Sequence, residues 1–405
     1  MAHERKRSID ELLRKLLGFS PVIGLFGHRQ VGKTTLAASL SPSYWTLDDR
    51  DTRTRITQDP KAFLNIPKQK LPVIIDECQQ EPDLFPALKE HIRTHRKPGQ
   101  FILTGSVRFT SGRAGRESLA GRLSPLELYP LILSELEQEP LPEVLPILMK
   151  ANRFSLDLLP ELKQGKALKH YTKAFEKYLM NGGLPGLCFI REDRLRKERL
   201  AALHTLILDR DLRYIVKTKL SLETLRSWLR WISIHSFQSY NSSKARSEVG
   251  ISIPTQKNLL HALESIYLIR RIPIKGGRSG EIVLLEDQFE ERELSGGELS
   301  KEAQILSAFY RNARAQFSYR LGETVSFESY WTRDGARVPL VIRAGSSALG
   351  FIAITNTKPL LSQKRAADSF LRAEPQGKIL FISSEARAPE IKENRILICS
   401  AASLI

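Results

Sequence analysis

Gly24–Leu40 reads GLFGHRQVGKTTLAASL, and the reading of this stretch decides the fold. From Gly27 it follows the spacing G-x-x-x-x-G-K-T, ending in Gly32, Lys33 and Thr34. The residues before it, PVIGLFG, form a short apolar run suited to a buried parallel strand, and TTLAASL suits the opening of a helix. A strand–loop–helix of this kind turns successive backbone N–H groups toward one point, and the helix N-terminus adds partial positive charge. The stretch is therefore read as a nucleoside-triphosphate site. Gly27, Gln30, Val31, Gly32, Lys33, Thr34 and Thr35 would hold the nucleotide, with Lys33 reaching the β- and γ-phosphates and the Thr34 hydroxyl on magnesium.

Farther along, LPVIIDE (71–77) supplies the second half of such a site. An apolar strand carries Asp76 and Glu77 to its carboxyl end, where open α/β sheets place their ligands. Asp76 is the expected magnesium ligand, directly or through water, and Glu77 the base that polarises the attacking water. FILTGS (101–106) fits a third strand, from which Thr104 or Ser106 would contact the γ-phosphate or the water; the plain alternative is a strand ending in a turn. ESLAGRLSPLELYPL (117–131) follows, with Arg116 and Arg122 on either side of a short helix. An arginine there either reaches a neighbouring subunit's γ-phosphate or is an ordinary surface residue, and Arg122 is the candidate of the two. Asp48 and Asp49 are read as capping the segment after them rather than approaching the metal.

The chain has 405 residues, enough for two or three domains, and its 41% apolar content is that of an ordinary folded protein. Its 62 basic and 45 acidic side chains leave a formal charge of +17. An excess of that size attracts polyanions, with nucleic acid ahead of anionic membrane. No apolar run approaches the ~20 residues needed to cross a bilayer. The start, MAHERKRSIDELLRKLLGF, is basic but passes into an amphipathic helical pattern rather than a signal sequence. Cys78, Cys188 and Cys399 are scattered, which fits a reducing cytoplasm and no structural zinc.

The first third alternates apolar runs with helical patterns, as a parallel α/β sheet requires. Between about 131 and 170 the pattern loosens, and EQEPLPEVLPILM (137–149) reads as a connector. The chain then reads as mostly helical to about 275, after which strands return around Gly276–Gly277 and Gly296–Gly297. NSSKARSEVGISIPTQKNLLHALESIYLIRRIPI (241–274) reads as a winged helix. Ser242 or Ser243 would cap its first helix, Gly250 end it, and LIRRIPI start the wing. Thr255, Gln256 and Lys257 open the second helix, where DNA contacts are made in helix-turn-helix units, and Lys244, Arg246, Arg270 and Arg271 would surround them. Such a unit serves equally as a packing module. REDRLRKER (191–199) is read first as a solvated helix face. No aromatic-rich strand suggests base stacking, which favours duplex or branched DNA over single strands.

Taken together, GHRQVGKTTL, IIDECQQEPDLFPALK, FILTGSVRF and ESLAGRLSPLELYPL resemble a bacterial and archaeal group of AAA+-type ATPases. In that group a P-loop core precedes a helical lid, a winged-helix segment and a restriction-endonuclease-like domain. YLMNGGLPGL (178–187) looks like the group's Gly-Gly-x-Pro lid motif, and LDRDLRYI (208–215) like a recurring helical signature. The resemblance is specific over roughly 18–275 and faint beyond. It implies ATP with Mg2+, a homo-oligomer of ring form such as a hexamer, and a lid whose Gly182, Gly183 and Pro185 lie near adenine or ribose. Read alone, the glycine pair is a helix-ending turn. In YWTRDGARVPLVIRAGSSALGFIAITNTKPL (330–360), Pro339 stands where the group's nuclease domain has an aspartate, and Ile354 and Asn356 where it has glutamate and lysine. Asp334 and Glu302 remain, read as a turn residue and a helix-surface acid. Metal-dependent cleavage needs the missing carboxylates, so a nuclease fold without nuclease activity is expected.

The expected fold class is α/β: an AAA+-type parallel core over 1–150, a helical lid over 151–220, a winged helix over 221–275, and a nuclease-like domain over 276–405. The expected function is an ATP-hydrolysing, DNA-binding motor or remodeller acting in the cytoplasm on duplex or branched DNA in recombination or repair. The alternative is an ATP-controlled switch or scaffold that turns over little and recruits protein partners.

Overall fold

The computed structural model of the chain describes residues 5–65, 71–108, 121–162, 164–322, 324–356 and 358–405. Helix α1 (Asp10–Leu17) comes first, burying Leu12, Leu13 and Leu16 along the face its apolar spacing predicts. Five strands succeed it: β1 (Val22–Phe26), β2 (Tyr44–Thr46), β3 (Val73–Asp76), β4 (Phe101–Gly105) and β5 (Leu123–Glu127). They form one parallel sheet in the order β2-β3-β4-β1-β5. Every residue of β1, β3 and β4 is buried, because a parallel sheet is covered on both faces. Helices α2 (Lys33–Ala38), α3 (Arg50–Gln58) and α4 (Leu84–Thr94) connect them. Among the described residues strand and helix alternate as expected from β1 to β4.

The expected connector is partly a packed element. Val144–Lys150 is helical and buries Val144, Leu145, Leu148 and Met149 in the same cluster as the C-terminal sheet. Its prolines sit at or before its first turn, where the missing N–H costs little. Helix α5 (Gly165–Asn181) leads to the GGLPG turn, and α6 (Asp193–Leu206) runs through a π-helical turn (Ile207–Asp211) into α7 (Leu212–Ile215). Then come α8 (Leu222–Ile234), α9 (Ser242–Val249) and α10 (Ile253–Ser265). The cap of α9 is the Asn241 side chain, which accepts from Lys244 N–H, not Ser242 or Ser243. Asparagine caps as well as serine, so the residue types left the position open by one.

Strands β6 (Ile269–Lys275) and β7 (Gly280–Leu285) form an antiparallel hairpin turned at Gly276–Gly277. The hairpin is continuous with the second sheet. β6 pairs parallel with β8 (Ser326–Trp331), so that sheet begins before the expected boundary at 275. With β9 (Arg337–Ala344), β10 (Ser347–Ala353), β11 (Gly377–Ser383), β12 (Glu390–Glu393) and β13 (Ile396–Ser400), the order is β12-β13-β11-β10-β9-β8-β6-β7. Two helices, α11 (Gln288–Ser295) and α12 (Lys301–Ser318), lie between β7 and β8, and α13 (Leu361–Ala373) between β10 and β11. Alternation along the strands divides the packing. Leu340 and Ile342 face Phe309 of α12, whereas Val341 joins Phe370 of α13 on the other side. Among the described residues no helix is long and apolar enough to cross a membrane. The three cysteines are buried and free.

Candidate nucleotide-binding site

The phosphate loop leaves β1 at Phe26 and enters α2 at Lys33. Gly32 caps α2 with φ of 97°, a left-handed turn that side chains disfavour. Lys33 Nζ is folded back on its own loop, donating to the carbonyls of Gly27 (3.1 Å) and His28 (2.9 Å). Burial lowers its ammonium to about 8, with Arg29 adding to the fall and Glu77 and Asp76 opposing it. These carbonyls occupy the ammonium where phosphate oxygens would otherwise take its protons.

Asp76 is the hub beneath the loop. Its Oδ2 accepts from the Thr34 hydroxyl at 2.9 Å and from the Tyr44 hydroxyl at 2.5 Å, and its Oδ1 accepts from the Thr104 hydroxyl. Burial and the neighbouring Asp76 raise the Tyr44 phenol, which keeps it a donor. Thr34 and Asp76, the two residues read as magnesium ligands, are thus in contact with each other. One hydroxyl and one carboxylate in contact suit a hard cation that keeps most of its ligands as water and phosphate. Among the described residues no group of three or more His, Cys, Asp or Glu is placed to cage a metal by itself. Glu77 comes next at the strand end with φ of 55°, and the Gln79 amide donates to its carboxylate. Ser106 Oγ lies 3.5 Å from the same amide, so Thr104 reaches Asp76 while Ser106 meets the amide that holds Glu77.

Gln30 and Thr35 are exposed on the loop and the first turn of α2, and Val31 is buried beneath them. Pro185 stands beside the loop: a Cβ built on Gly32 would lie 4.0 Å from its ring and 3.5 Å from the Arg7 guanidinium. Gly183 serves close packing, since a Cβ there would fall 2.1 Å from the Leu131 carbonyl oxygen. Asp49 caps α3 by accepting from Thr52, as expected, and Asp48 pairs with Arg210 at 2.9 Å. Arg122 precedes β5, whose amino end pairs with the amino end of β1. The loop lies roughly 16 Å away at the other end of β1, out of reach of Arg122 in the same chain. Arg116 falls outside the described residues.

Sequence reading missed several participants. Arg29 makes a bidentate pair with Asp211 in the π-helical turn, at 2.8 and 2.9 Å. Tyr214 donates to the Gln79 carbonyl at 3.0 Å. Arg7 donates to the Val31 carbonyl at 2.8 Å and to the Tyr129 carbonyl. Arg29 and Asp211 are 182 residues apart, beyond any local pattern, although Asp211 lies inside LDRDLRYI. A π-turn in an otherwise regular helix often marks a functional position.

Two expected DNA contacts are corrected. Gln256 is buried, and its amide ties the turn by donating to the carbonyls of Ile251 (2.7 Å) and Ser242 (3.1 Å). Arg270 is buried between Glu286 and Glu127, so its charge is neutralised inside the protein. Arg271 is half-buried and held by Glu281 and Glu264. Lys244, Arg246 and Lys257 are exposed, and Thr255 is half-buried at the first turn of α10. In the second sheet Pro339 lies within β9, Ile354 is buried just past β10 and Asn356 is exposed. Asp334 sits in the exposed β8–β9 turn, and Glu302 accepts from Thr355.

Residues 20–137 match the family described as an AAA domain, and residues 172–275 match a domain of unknown function (DUF8612). The first sheet and its loops are thus an AAA-type P-loop ATPase domain. Uncharacterised proteins of Mycobacterium tuberculosis and Mycobacterium bovis are each 23% identical over 268 residues, which is 66% of this chain and 53% of theirs. The chain therefore spans about half the length of the curated relatives it matches. The Walker-type ATPase PABY2304 of Pyrococcus abyssi is similar at 16% identity and a TM-score of 0.41, covering 71% of this chain and 95% of that one. The Thermotoga maritima RuvB Holliday junction branch migration motor is similar at 16% identity and a TM-score of 0.30, covering 68% and 91%.

The Lys33 geometry gives a pH prediction. A bound polyphosphate favours the charged ammonium, so the bound state holds its proton to a higher pH than the free state. Affinity for ADP is expected to be level below about 8, where free Lys33 is already charged, and to fall above it as binding must take up a proton. Calorimetry in two buffers of different ionisation enthalpy reads that uptake directly; its absence at pH 9 would show that Lys33 does not meet the phosphates.

Proposed function

We propose that the chain hydrolyses ATP as an AAA+-type motor or remodeller that binds duplex or branched DNA in recombination or repair. One observation carries the hydrolytic part: Thr34, Asp76 and Thr104 converge beneath the phosphate loop, with the half-buried Glu77 next to them at the strand end. Thr34 and Asp76 would hold Mg2+, which supplies charge neutralisation for the phosphates. Lys33 exchanges its loop carbonyls for phosphate oxygens, Thr104 keeps Asp76 aimed, and Glu77 takes the proton of the attacking water. Arg122 complements a second copy's site, which calls for a homo-oligomer such as a hexameric ring. The +17 charge and the exposed Lys244, Arg246 and Lys257 on α9 and α10 support the DNA part. The β8–β13 region is read as a nuclease-like domain without cleavage residues, in keeping with Pro339, Ile354 and Asn356. A cytoplasmic place agrees with three free thiols.

Steady-state hydrolysis with and without linear, forked and four-way-junction DNA, with Glu77→Gln as the blank, tests the proposal. Stimulation by one structure supports a DNA-coupled motor; flat, slow turnover on all of them favours the switch. The Arg29–Asp211 pair speaks for that second reading, since it ties the loop to the lid segment by a bond that nucleotide would have to rearrange. Where DNA is bound, Lys244→Ala with Lys257→Ala is expected to lower the slope of log affinity against log salt by roughly 2, about 0.9 for each phosphate no longer neutralised. An unchanged slope in a salt titration would remove this face from the interface.

A further inference from the structure

Helix α11 lies outside both family matches, yet it reaches the nucleotide site from two sides. Asp287, at its N-cap, accepts from the backbone N–H of Gly183 (2.7 Å) and Leu184 (3.1 Å), the turn that stands beside the phosphate loop. One turn on, Glu290 is completely buried, and its Oε1 lies 3.1 Å from His204 Nε2 of α6 and 3.4 Å from His28 Nε2 of the phosphate loop. The other ring nitrogen of His28 lies 2.6 Å from the Arg29 carbonyl oxygen. The His28 ring thus lies between the Glu290 carboxylate and the backbone of its own loop. Burial alone would raise the Glu290 carboxyl, but the two histidines outweigh it and bring it below the usual range.

The far side of α11 is bound to α12. Glu291 pairs with Arg311 at 3.0 Å, and Arg311 also donates to the carbonyls of Leu285 and Glu286. Completely buried carboxylates are costly unless paired with charge, and here Glu290 is met by the two histidines and Glu291 by Arg311. The carbonyl of His28 is also one of the two that Lys33 releases when phosphate arrives. A rearranging loop thus moves a residue whose buried ring rests against the Glu290 carboxylate of α11.

We propose that Glu290 is a positioning residue for the phosphate loop, and that α11 carries nucleotide occupancy from His28 to α12 and the C-terminal sheet. The proposal rests on the reading of the loop as a nucleotide site. Glu290→Gln keeps the size of the side chain and a bond to one histidine while removing the charge that holds both. The full-length variant is expected to bind a fluorescent ADP analogue about tenfold more weakly, with kcat at saturating ATP close to wild type. In hydrogen exchange, ADP is expected to slow exchange in Lys301–Ser318 of the wild-type chain and to leave it unaltered in the variant. His28→Gln cuts the same link from the loop side while Glu290 keeps His204, which guards against misfolding of the first variant. The two substitutions together are expected to cost little more than either alone. Wild-type affinity and a wild-type ADP response in both variants would overturn the coupling and leave the nucleotide site standing. Failure of the wild-type chain to bind ADP would overturn both.

Discussion

Glu77→Gln is expected to bind ATP as the wild type does and to turn it over about 10²–10⁴-fold more slowly. The groups that grip the nucleotide are elsewhere: Lys33 in the loop, and Thr34 and Asp76 beneath it. None of them contacts Glu77 by a hydrogen bond, and the amide oxygen of glutamine still accepts from Gln79. What is lost is the capacity to take a proton from water. Glu77 is half-buried at the carboxyl end of β3, held by its backbone in a left-handed conformation that aims it away from the strand. Single-turnover hydrolysis after trapping with unlabelled ATP separates the two effects. Wild-type turnover in the variant would place the base elsewhere and remove the central element of the mechanism.

Lys33→Ala is expected to lose roughly 10²–10³-fold in affinity for ATP and ADP, since a unit charge close to a phosphate is worth a few kcal/mol at the dielectric of a partly wet site. The empty protein should not suffer. The ammonium is buried against the carbonyls of Gly27 and His28, and burial lowers it to about 8, so its charge is not what holds the empty fold. A thermal-shift titration distinguishes the two states: the melting temperature without nucleotide is unchanged or raised, and the rise that ADP produces in the wild type is absent. A variant that melts early without ligand and still responds to ADP would mean that Lys33 supports the loop and not the phosphates.

The parts of the site that were legible lie within short stretches. Gly27–Thr34 and Val73–Glu77 carry their chemistry and their strand context together, so spacing and apolar runs locate them. Gln256 and Arg270 were misread because polarity was taken for exposure. Gln256 sits one residue from the exposed Lys257, and only the packing of α9 against α10 turns it inward. The acids that consume Arg270 lie far away in sequence, at Glu127 and Glu286. A signal for that network was present. EDQFEERELS comes directly after an apolar strand, and YRNARAQF sets Arg311 and Arg314 on a helix apolar on most sides. Basic residues on such a helix must be met by buried acids, and the nearest candidates are Glu286 and Glu291.

The hairpin of β6 and β7 has a mechanical meaning. Its strands close the α8–α10 unit and at the same time form one edge of the second sheet, where Ile274 pairs with Ser329 and Lys275 Nζ meets Glu328 at 2.7 Å. A shared hydrogen-bond ladder is no hinge. The α8–α10 unit and the second sheet are therefore joined into one continuous piece, and that piece is seated on the first sheet through the Arg270–Glu127 pair and the Tyr319 hydroxyl at the Tyr129 N–H. A displacement imposed on the hairpin is thus shared at once by the helices it closes and by the sheet it edges.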